Sequence, residues 1–327
     1  MPRDCRIFSV APRTGDAQGF WRDVCTVADL SERFRLTGVL LFTGNDSLLE
    51  PWVAAQELLR RTSLISPLVA VNPVYMHPFA VAKTIASLVQ LYGRRIFLNM
   101  VIGTALSHQT ALGDLLSHDE RYARLAEHID IIKRLLTSRR PLTFVGDHYR
   151  VDQLQLFPGI APEIAPEFLL AGQSEAARRV CAVTGSTAMQ MLPALPEDVL
   201  SDVTGVHFGI VSRRTTEAAW KAARRLFPED PEDRAMLESS MANTDASWKR
   251  RMKAHSEHAR EVGDYWLTPF ANSRADCPYV VGSHGFVIHK LRHLVAKGIN
   301  TFVLDIPPNE DEFTNVHYVL KAGDLIA

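Results

Sequence analysis

With 327 residues, 46% hydrophobic and 22% charged, the chain is long enough to bury a large core, either as one α/β barrel or as two ordinary domains. Its net charge of −1 supplies no long-range field for nucleic acid or anionic lipid, and no run approaches ~20 uninterrupted apolar residues, so neither a nucleic-acid partner nor a membrane span is expected. Residues 1–4 lead into a strand-like segment without a signal-peptide core, which predicts a cytoplasmic protein, and Cys5, Cys25, Cys181 and Cys277 have neither CxxC nor zinc spacing, which predicts reduced thiols.

In chain order, residues 6–11 read as a short buried strand, and 21–34 carry helical spacing at Trp21, Val24, Val27, Leu30 and Phe34. Residues 38–43 form a continuous apolar run of the kind covered on both faces, followed by a helix over 51–59. Two further pairs follow, a strand over 67–72 with a helix after Pro78, and a strand over 95–101 with a helix over 118–138. Ser117 and Glu120 form a capping box at the start of that last helix. Residues 142–151 alternate about a Gly146-Asp147 turn as a hairpin, and 158–166 is a proline-rich connection. Strand 167–171 enters Gly172-Gln173-Ser174 and a helix over 175–182. Then come strands over 187–192 and 206–212, a helix over 215–226, a charged insertion over 228–276, a helix over 286–296 ending at Gly298, and a strand over 301–305. Buried-type strands alternating with helices fit a doubly wound sheet or a closed barrel, and eight such units favour a TIM-like (β/α)8 barrel with insertions, the whole of 1–327 forming one domain. The 228–276 insertion reads equally as a solvated helical excursion or as a lid.

Two helix starts carry candidate chemistry. His118 and Tyr122 stand one turn apart beside a terminus whose N–H groups and positive dipole end favour an anion, though the same residues suit an ordinary solvated first turn. Gly172, Gln173 and Ser174 offer backbone N–H groups, a small residue and a hydroxyl, and also suit an ordinary N-cap. Together the two starts can converge on one phosphate at the C-terminal rim of a barrel. No GxGxxG, GxxxxGK[ST] or GxSxG occurs in the chain. His289 and His293 share a helix face without HExxH, and His255 and His258 lie in the charged insertion, so no metal is expected.

The runs FLNMVIG at 97–103, LLSHDERY at 115–122, FVGDHY at 144–149 and LFP at 156–158 resemble, in order and spacing, the bacterial luciferase-like flavin monooxygenases, in particular their alkanesulfonate monooxygenase-like branch. TGVL at 37–40, AGQSEAA at 171–177, residues 213–220, Val281-Gly282 and GINTFVL at 298–304 extend the resemblance over nearly the whole chain. It implies a TIM-like barrel using reduced FMN (FMNH2), delivered by a separate NAD(P)H-dependent flavin reductase, and O2, with one oxygen atom transferred to a small-molecule substrate through a flavin C4a-(hydro)peroxide. It also implies a homo-oligomer, a dimer or tetramer. By position, His118, Tyr122, Gly172, Gln173 and Ser174 would hold the flavin phosphate, and Asn72 and Asn99 would flank its ring.

The substrate side departs from the resemblance. The family cysteine falls at Ser47, its strand histidine and arginine fall at Gly209 and His207 (or the histidine at His207 after a two-residue slip), its tyrosine falls at Pro307, and its loop arginine falls beside Arg274. His207, Ser47 and Arg274 are therefore the catalytic candidates, with His207 first for proton management. A sulfonate favours clustered Arg donors, so the changed pocket also admits N-hydroxylation or another tailoring step on an amino-acid-like molecule. A deazaflavin-dependent or non-catalytic relative is the third reading.

Overall fold

The computed structural model describes residues 5–12, 17–45, 47–103, 105–228 and 231–326. The lead-in at 1–4, Asp46 of the turn around Ser47, and residues 229–230 of the expected insertion lie outside them.

The elements are β1 (Arg6–Val10), α1 (Ala17–Arg33), β2 (Gly38–Leu41), α2 (Pro51–Arg61), β3 (Ser66–Val71), α3 (Pro78–Tyr92), β4 (Phe97–Met100), α4 (Leu106–Ala111), α5 (His118–Thr137), β5 (Leu142–Val145), β6 (Arg150–Leu154), β7 (Glu167–Ala171), α6 (Glu175–Thr184) and β8 (Thr187–Met191). There follow β9 (Gly205–Arg213), α7 (Thr216–Leu226), α8 (Pro231–Ala242), α9 (Ser247–His258), β10 (Glu261–Val262), β11 (Tyr265–Trp266), α10 (Thr268–Ala271), β12 (Tyr279–Ser283), α11 (His284–Ala296), β13 (Thr301–Asp305) and α12 (Glu310–Ala322). The strand order β9-β13-β1-β2-β3-β4-β7-β8, with β8 paired back to β9, is that of an eight-stranded TIM-like (β/α)8 barrel. These are the eight strands expected from the apolar runs. The chain divides into two compact units, one of residues 1–39 and 189–327, the other of residues 40–188.

In the second unit, β3 is buried at all six residues, as a parallel strand covered on both faces requires. Its neighbour β4 pairs parallel with both β3 and β7, which sets Asn99 level with Ala70 and Leu169. Helix starts here are satisfied locally. The Glu50 carboxylate accepts the Trp52 N–H ahead of Pro51, His77 accepts the Phe79 N–H ahead of Pro78, and the capping box of α5 is complete. The expected hairpin is β5–β6, and it is strapped to α5 by Glu127, whose carboxylate accepts the backbone N–H groups of Asp147, His148 and Tyr149 at 2.8, 3.1 and 3.0 Å. A Cβ at residue 146 would lie 2.4 Å from the Glu127 Oε2, so a larger residue there would shift this carboxylate.

In the first unit, β13 pairs parallel with β1 and with the first half of β9. The second half of β9, Gly209 to Arg213, pairs parallel with β12, which pairs antiparallel with β11 and through it with β10. Helix α7 packs on this extension through Ala219, Ala222 and Ala223 against Val211, Tyr279 and Val281. The helix that leads into β13 is α11, so the chain between β9 and α11 spans 214–283, and the expected 228–276 insertion is its central part. That segment is largely helical. It carries α8, α9, α10 and two short strands, β10 and β11, and α8 and α9 pack around Tyr265, Leu267 and Phe270. Two-residue strands leave no periodicity to read, which is why they escape a sequence pattern. Arg213, at the end of β9, forms a two-pronged ion pair with the buried Glu312 of α12.

Candidate active site

The second unit places the two expected helix starts side by side. Ser117 Oγ accepts the Glu120 N–H at 3.4 Å, and the Glu120 carboxylate accepts the Ser117 N–H at 2.8 Å. These bonds, with the Ser117 hydroxyl contributing most, hold the Glu120 carboxyl below its ordinary range. The fixed first turn aims His118 edge-on at Tyr122, with ring centroids 5.1 Å apart. Tyr122 is buried and His118 is partly exposed. Across from them, β7 delivers Gly172, Gln173 and Ser174, all half-buried, to the start of α6. A Cβ on Gly172 would stand 2.3 Å from Tyr122 Oη and 2.8 Å from Ala177 Cβ. Only glycine lets the phenol and the α6 start approach so closely.

At that point the structure gathers an imidazole, a phenol, the backbone of a helix start and the Ser174 hydroxyl. The hydroxyl caps α6 by accepting the Ala177 N–H at 3.2 Å and keeps its own proton to donate. Asp119 stands beside this set, with His118 Nδ1 2.8 Å and Arg179 Nη2 4.0 Å from its carboxylate. The set can grip a phosphate or a similar oxyanion.

A second group lies at the ends of β3 and β4. Asn72 is buried, and its Oδ1 accepts the Val74 N–H at 3.1 Å. Its position two residues beyond Ala70 puts it on the same sheet face as Asn99, which is half-buried. Gly103 has φ +79°, and a Cβ there would meet Asn72 Nδ2 at 2.8 Å. Gln109 Nε2 and Arg121 Nη1 each donate to the Gly103 carbonyl at 3.3 Å. Sequence reasoning missed the buried Arg121, which lies between His118 and Tyr122 but faces the loop after β4. Gly103, at a strand end, was the available signal.

Ser47 is half-buried in a turn closed by its own N–H on the Gly44 carbonyl at 3.1 Å.

In the first unit, His207 is half-buried in β9, in register with Met191 of β8 and Val303 of β13. Arg274 is exposed in the turn after α10, just past Ser273 at φ +55°. Pro307 is buried two residues beyond β13. Gly209 has a specific partner that sequence did not reveal. Three adjacent strands align Asp305, Gly209 and Tyr279, and the Tyr279 ring lies over Gly209, with ring carbons 2.3–2.4 Å from where a Cβ would be. Burial, followed by the Asp305 charge, pushes the Tyr279 phenol well above its ordinary value, and its side chain hydrogen-bonds Asp305. Cys277 Sγ lies 3.8 Å from the same carboxylate. An aromatic ring thus fills the space of a side chain at 209, and the mid-strand glycine was its only trace in the sequence.

His289 and His293 are exposed on α11, and among the described residues no three His, Cys, Asp or Glu side chains are grouped to hold a metal. No helix of the described residues is long and apolar enough to cross a membrane.

Comparison with known proteins agrees with this architecture. Residues 7–301 match a family model described as luciferase-like monooxygenase. A curated relative, the 4-(γ-L-glutamylamino)butanoyl-[BtrI acyl-carrier protein] monooxygenase BtrO of Niallia circulans, is 28% identical over 315 residues, covering 91% of this chain and 90% of that protein. Among solved structures, the EDTA monooxygenase EmoA of Chelativorans sp. BNC1 superposes with a TM-score of 0.74 at 15% identity, over 99% of this chain and 95% of that one. The oxygenating constituent of 3,6-diketocamphane monooxygenase of Pseudomonas putida, in complex with FMN, does so with a TM-score of 0.66 at 14% identity, over 98% and 96% of the two chains. At these identities the solved structures speak to the fold.

Proposed function

The chain belongs to the luciferase-like monooxygenase family and is a monooxygenase, and from that premise we propose that it is the oxygenase of a two-component, reduced-FMN-dependent system acting on an amino-acid-like substrate. The observation that carries the cofactor reading is the convergence of Tyr122 on Gly172, which joins two helix starts into one oxyanion cradle. His118, Tyr122, Gln173 and Ser174 would hold the FMN phosphate there, and Asn72 and Asn99 would flank the ring. When bound in its reduced form, the flavin supplies the electrons that activate O2. A cytoplasmic NAD(P)H-dependent flavin reductase is the expected source of that reduced flavin, and the oxygenase is expected to be a homo-oligomer.

The protein's own tasks are positioning, proton handling and exclusion of water. His207 is the group we assign to proton handling, because an imidazole changes charge near neutral pH. Residues 228–276 serve as a lid whose turn carries Arg274 as an anion contact, and Ser47 donates a hydrogen bond from the turn after β2.

Support for an amino-acid-like substrate comes from BtrO, whose name records an aminobutanoyl group on a carrier protein. The alkanesulfonate reading rests on the motif resemblance alone. It is second because, counted without a slip, His207 and Pro307 stand where the family has its arginine and its tyrosine, groups on which an anionic sulfonate would draw. Oxygen consumption coupled to a flavin reductase, with ω-amino acids, their thioesters and alkanesulfonates as substrates, tests the assignment. Substrate-dependent oxygen insertion into the amino-acyl compounds is expected. Turnover of sulfonates alone would reverse the order of the two readings, and tighter binding of a deazaflavin than of FMN would overturn the cofactor.

A further inference from the structure

Positive charge is concentrated in two stretches of the first unit. Residues 212–225 and 248–260 contain ten Lys and Arg against two Asp and Glu, whereas the other 300 residues contain 26 against 35. The two stretches carry a net +8 on 27 residues and the rest of the chain a net −9, of which −5 falls on residues 226–247 between them; Arg213 is paired with the buried Glu312 and Arg224 with Glu261.

Structure explains where that charge points. Helix α7 turns Ala219, Ala222 and Ala223 into the core and leaves Lys221, Arg224 and Arg225 exposed. Helix α9 buries Met252 and Ser256 and exposes Arg250, Arg251, His255 and His258. The two helices approach each other at their C-terminal ends, where Arg224 Nη2 reaches the Glu261 carboxylate at 3.2 Å, just past the end of α9. The inner face of this layer has a different role. Met252 packs with Leu237, Tyr265, Leu267 and Phe270, and Met191 and Ala194 pack against the same group. Met191 ends β8 and is in register with His207. The cationic face is thus the outside of a layer whose inside rests on the strand end beside the proposed proton-handling residue.

We propose that this α7–α9 face docks an acidic acyl-carrier protein, which presents the amino-acyl group as a thioester on its flexible phosphopantetheine arm. This rests on the amino-acyl reading above. A free amino acid needs one or two ion pairs, not an extended cationic surface, whereas small carrier proteins are strongly acidic and complement such a surface. Charge complementarity of this kind steers the encounter and fixes orientation, and a tethered substrate needs orientation so that its arm enters next to the strand ends.

The test uses one acyl group in two forms. The holoenzyme with its flavin reductase is supplied with 4-(γ-L-glutamylamino)butanoyl as a pantetheine thioester and as the same thioester on an acidic acyl-carrier protein. At low salt the carrier-bound form is expected to show a KM at least about ten-fold lower. The Lys221→Glu/Arg225→Glu variant, confined to the exposed face of α7 and outside the lid, is expected to lose that advantage while its kinetics on the pantetheine thioester stay unchanged, which also shows that it is folded. Equal KM values for the two forms in the wild type, or an advantage that survives charge reversal, would overturn the docking proposal. If neither thioester is oxidised, the amino-acyl reading falls. Docking is then decided by calorimetric titration with the carrier protein, where salt-sensitive binding lost in the variant sustains it and absence of binding ends it. A variant that binds the carrier normally but receives flavin poorly from the reductase would assign the face to the reductase instead.

Discussion

Tyr122 and Gly172 are fitted to one another: the phenol oxygen stands 2.3 Å from the place a Cβ on residue 172 would take, so the start of α5 and the start of α6 meet only because one of them has no side chain. Gly172→Ala should therefore push Tyr122 or the α6 start aside. We expect its Kd for reduced FMN to rise about ten-fold, equivalent to about 1.4 kcal/mol. Tyr122→Phe removes the clashing oxygen, so the double variant should recover part of the loss, and the coupling is read from a double-mutant cycle of FMN titrations. Unchanged affinity in Gly172→Ala would remove the phosphate cradle from the functional model.

His128 makes the fold sensitive to acid. It is fully buried on α5, its Nε2 lies 3.1 Å from the Met76 carbonyl, and burial pushes its pKa down to about 4, with His77 and Arg124 adding to the effect and the carbonyl opposing it. Below the unfolded value of about 6.5, the unfolded chain takes up a proton that the folded chain refuses, so stability is full above that pH and declines until about pH 4. The total loss is on the order of 3 kcal/mol. Urea midpoints measured from pH 7.5 to 4.5 should fall in the wild type and much less in His128→Gln, whose amide can still donate to Met76. Parallel curves for the two proteins would refute this assignment.

Gly209→Ala tests the ring that crosses β9. The new methyl would collide with the Tyr279 ring, itself held between Phe227, Trp266 and Asp305. We expect a loss of about 2 kcal/mol by chemical denaturation, in the range of overpacked cores. Adding Tyr279→Leu should regain part of it, because the smaller side chain leaves room for the methyl, and a double variant worse than the sum of the two singles would argue against the packing explanation.

His207→Ala separates proton handling from cofactor binding. The expected result is a kcat lower by about 100-fold, with the reduced-FMN Kd within two-fold of wild type. A kcat within three-fold of wild type would return His207 to a packing role in β9.

Much of this molecule is legible before folding. The apolar runs at 6–11, 38–43, 67–72 and 301–305 identify their strands because a parallel strand covered on both faces cannot tolerate polar alternation. Ser117 and Glu120 mark the start of α5 because both halves of a capping box lie within four residues, and in the structure both hydrogen bonds form. What lies within one turn or one strand is written locally.

Partners chosen across long sequence separations are not. Nothing local in Gly172 announces that its missing Cβ serves Tyr122, fifty residues earlier, and nothing in Gly209 announces the ring of Tyr279 or the carboxylate of Asp305. Likewise, two-residue strands such as β10 and β11 exist only because β12 and the far half of β9 offer them an edge, and their own residues carry no period to read. The sequence by itself determined the eight strands, the capped helix starts and the family resemblance, since each depends on neighbours along the chain. Tertiary structure alone decided which helix starts meet, which glycine yields to which ring, and where the charge of α7 and α9 is displayed, since those depend on close approaches that only the packed chain creates.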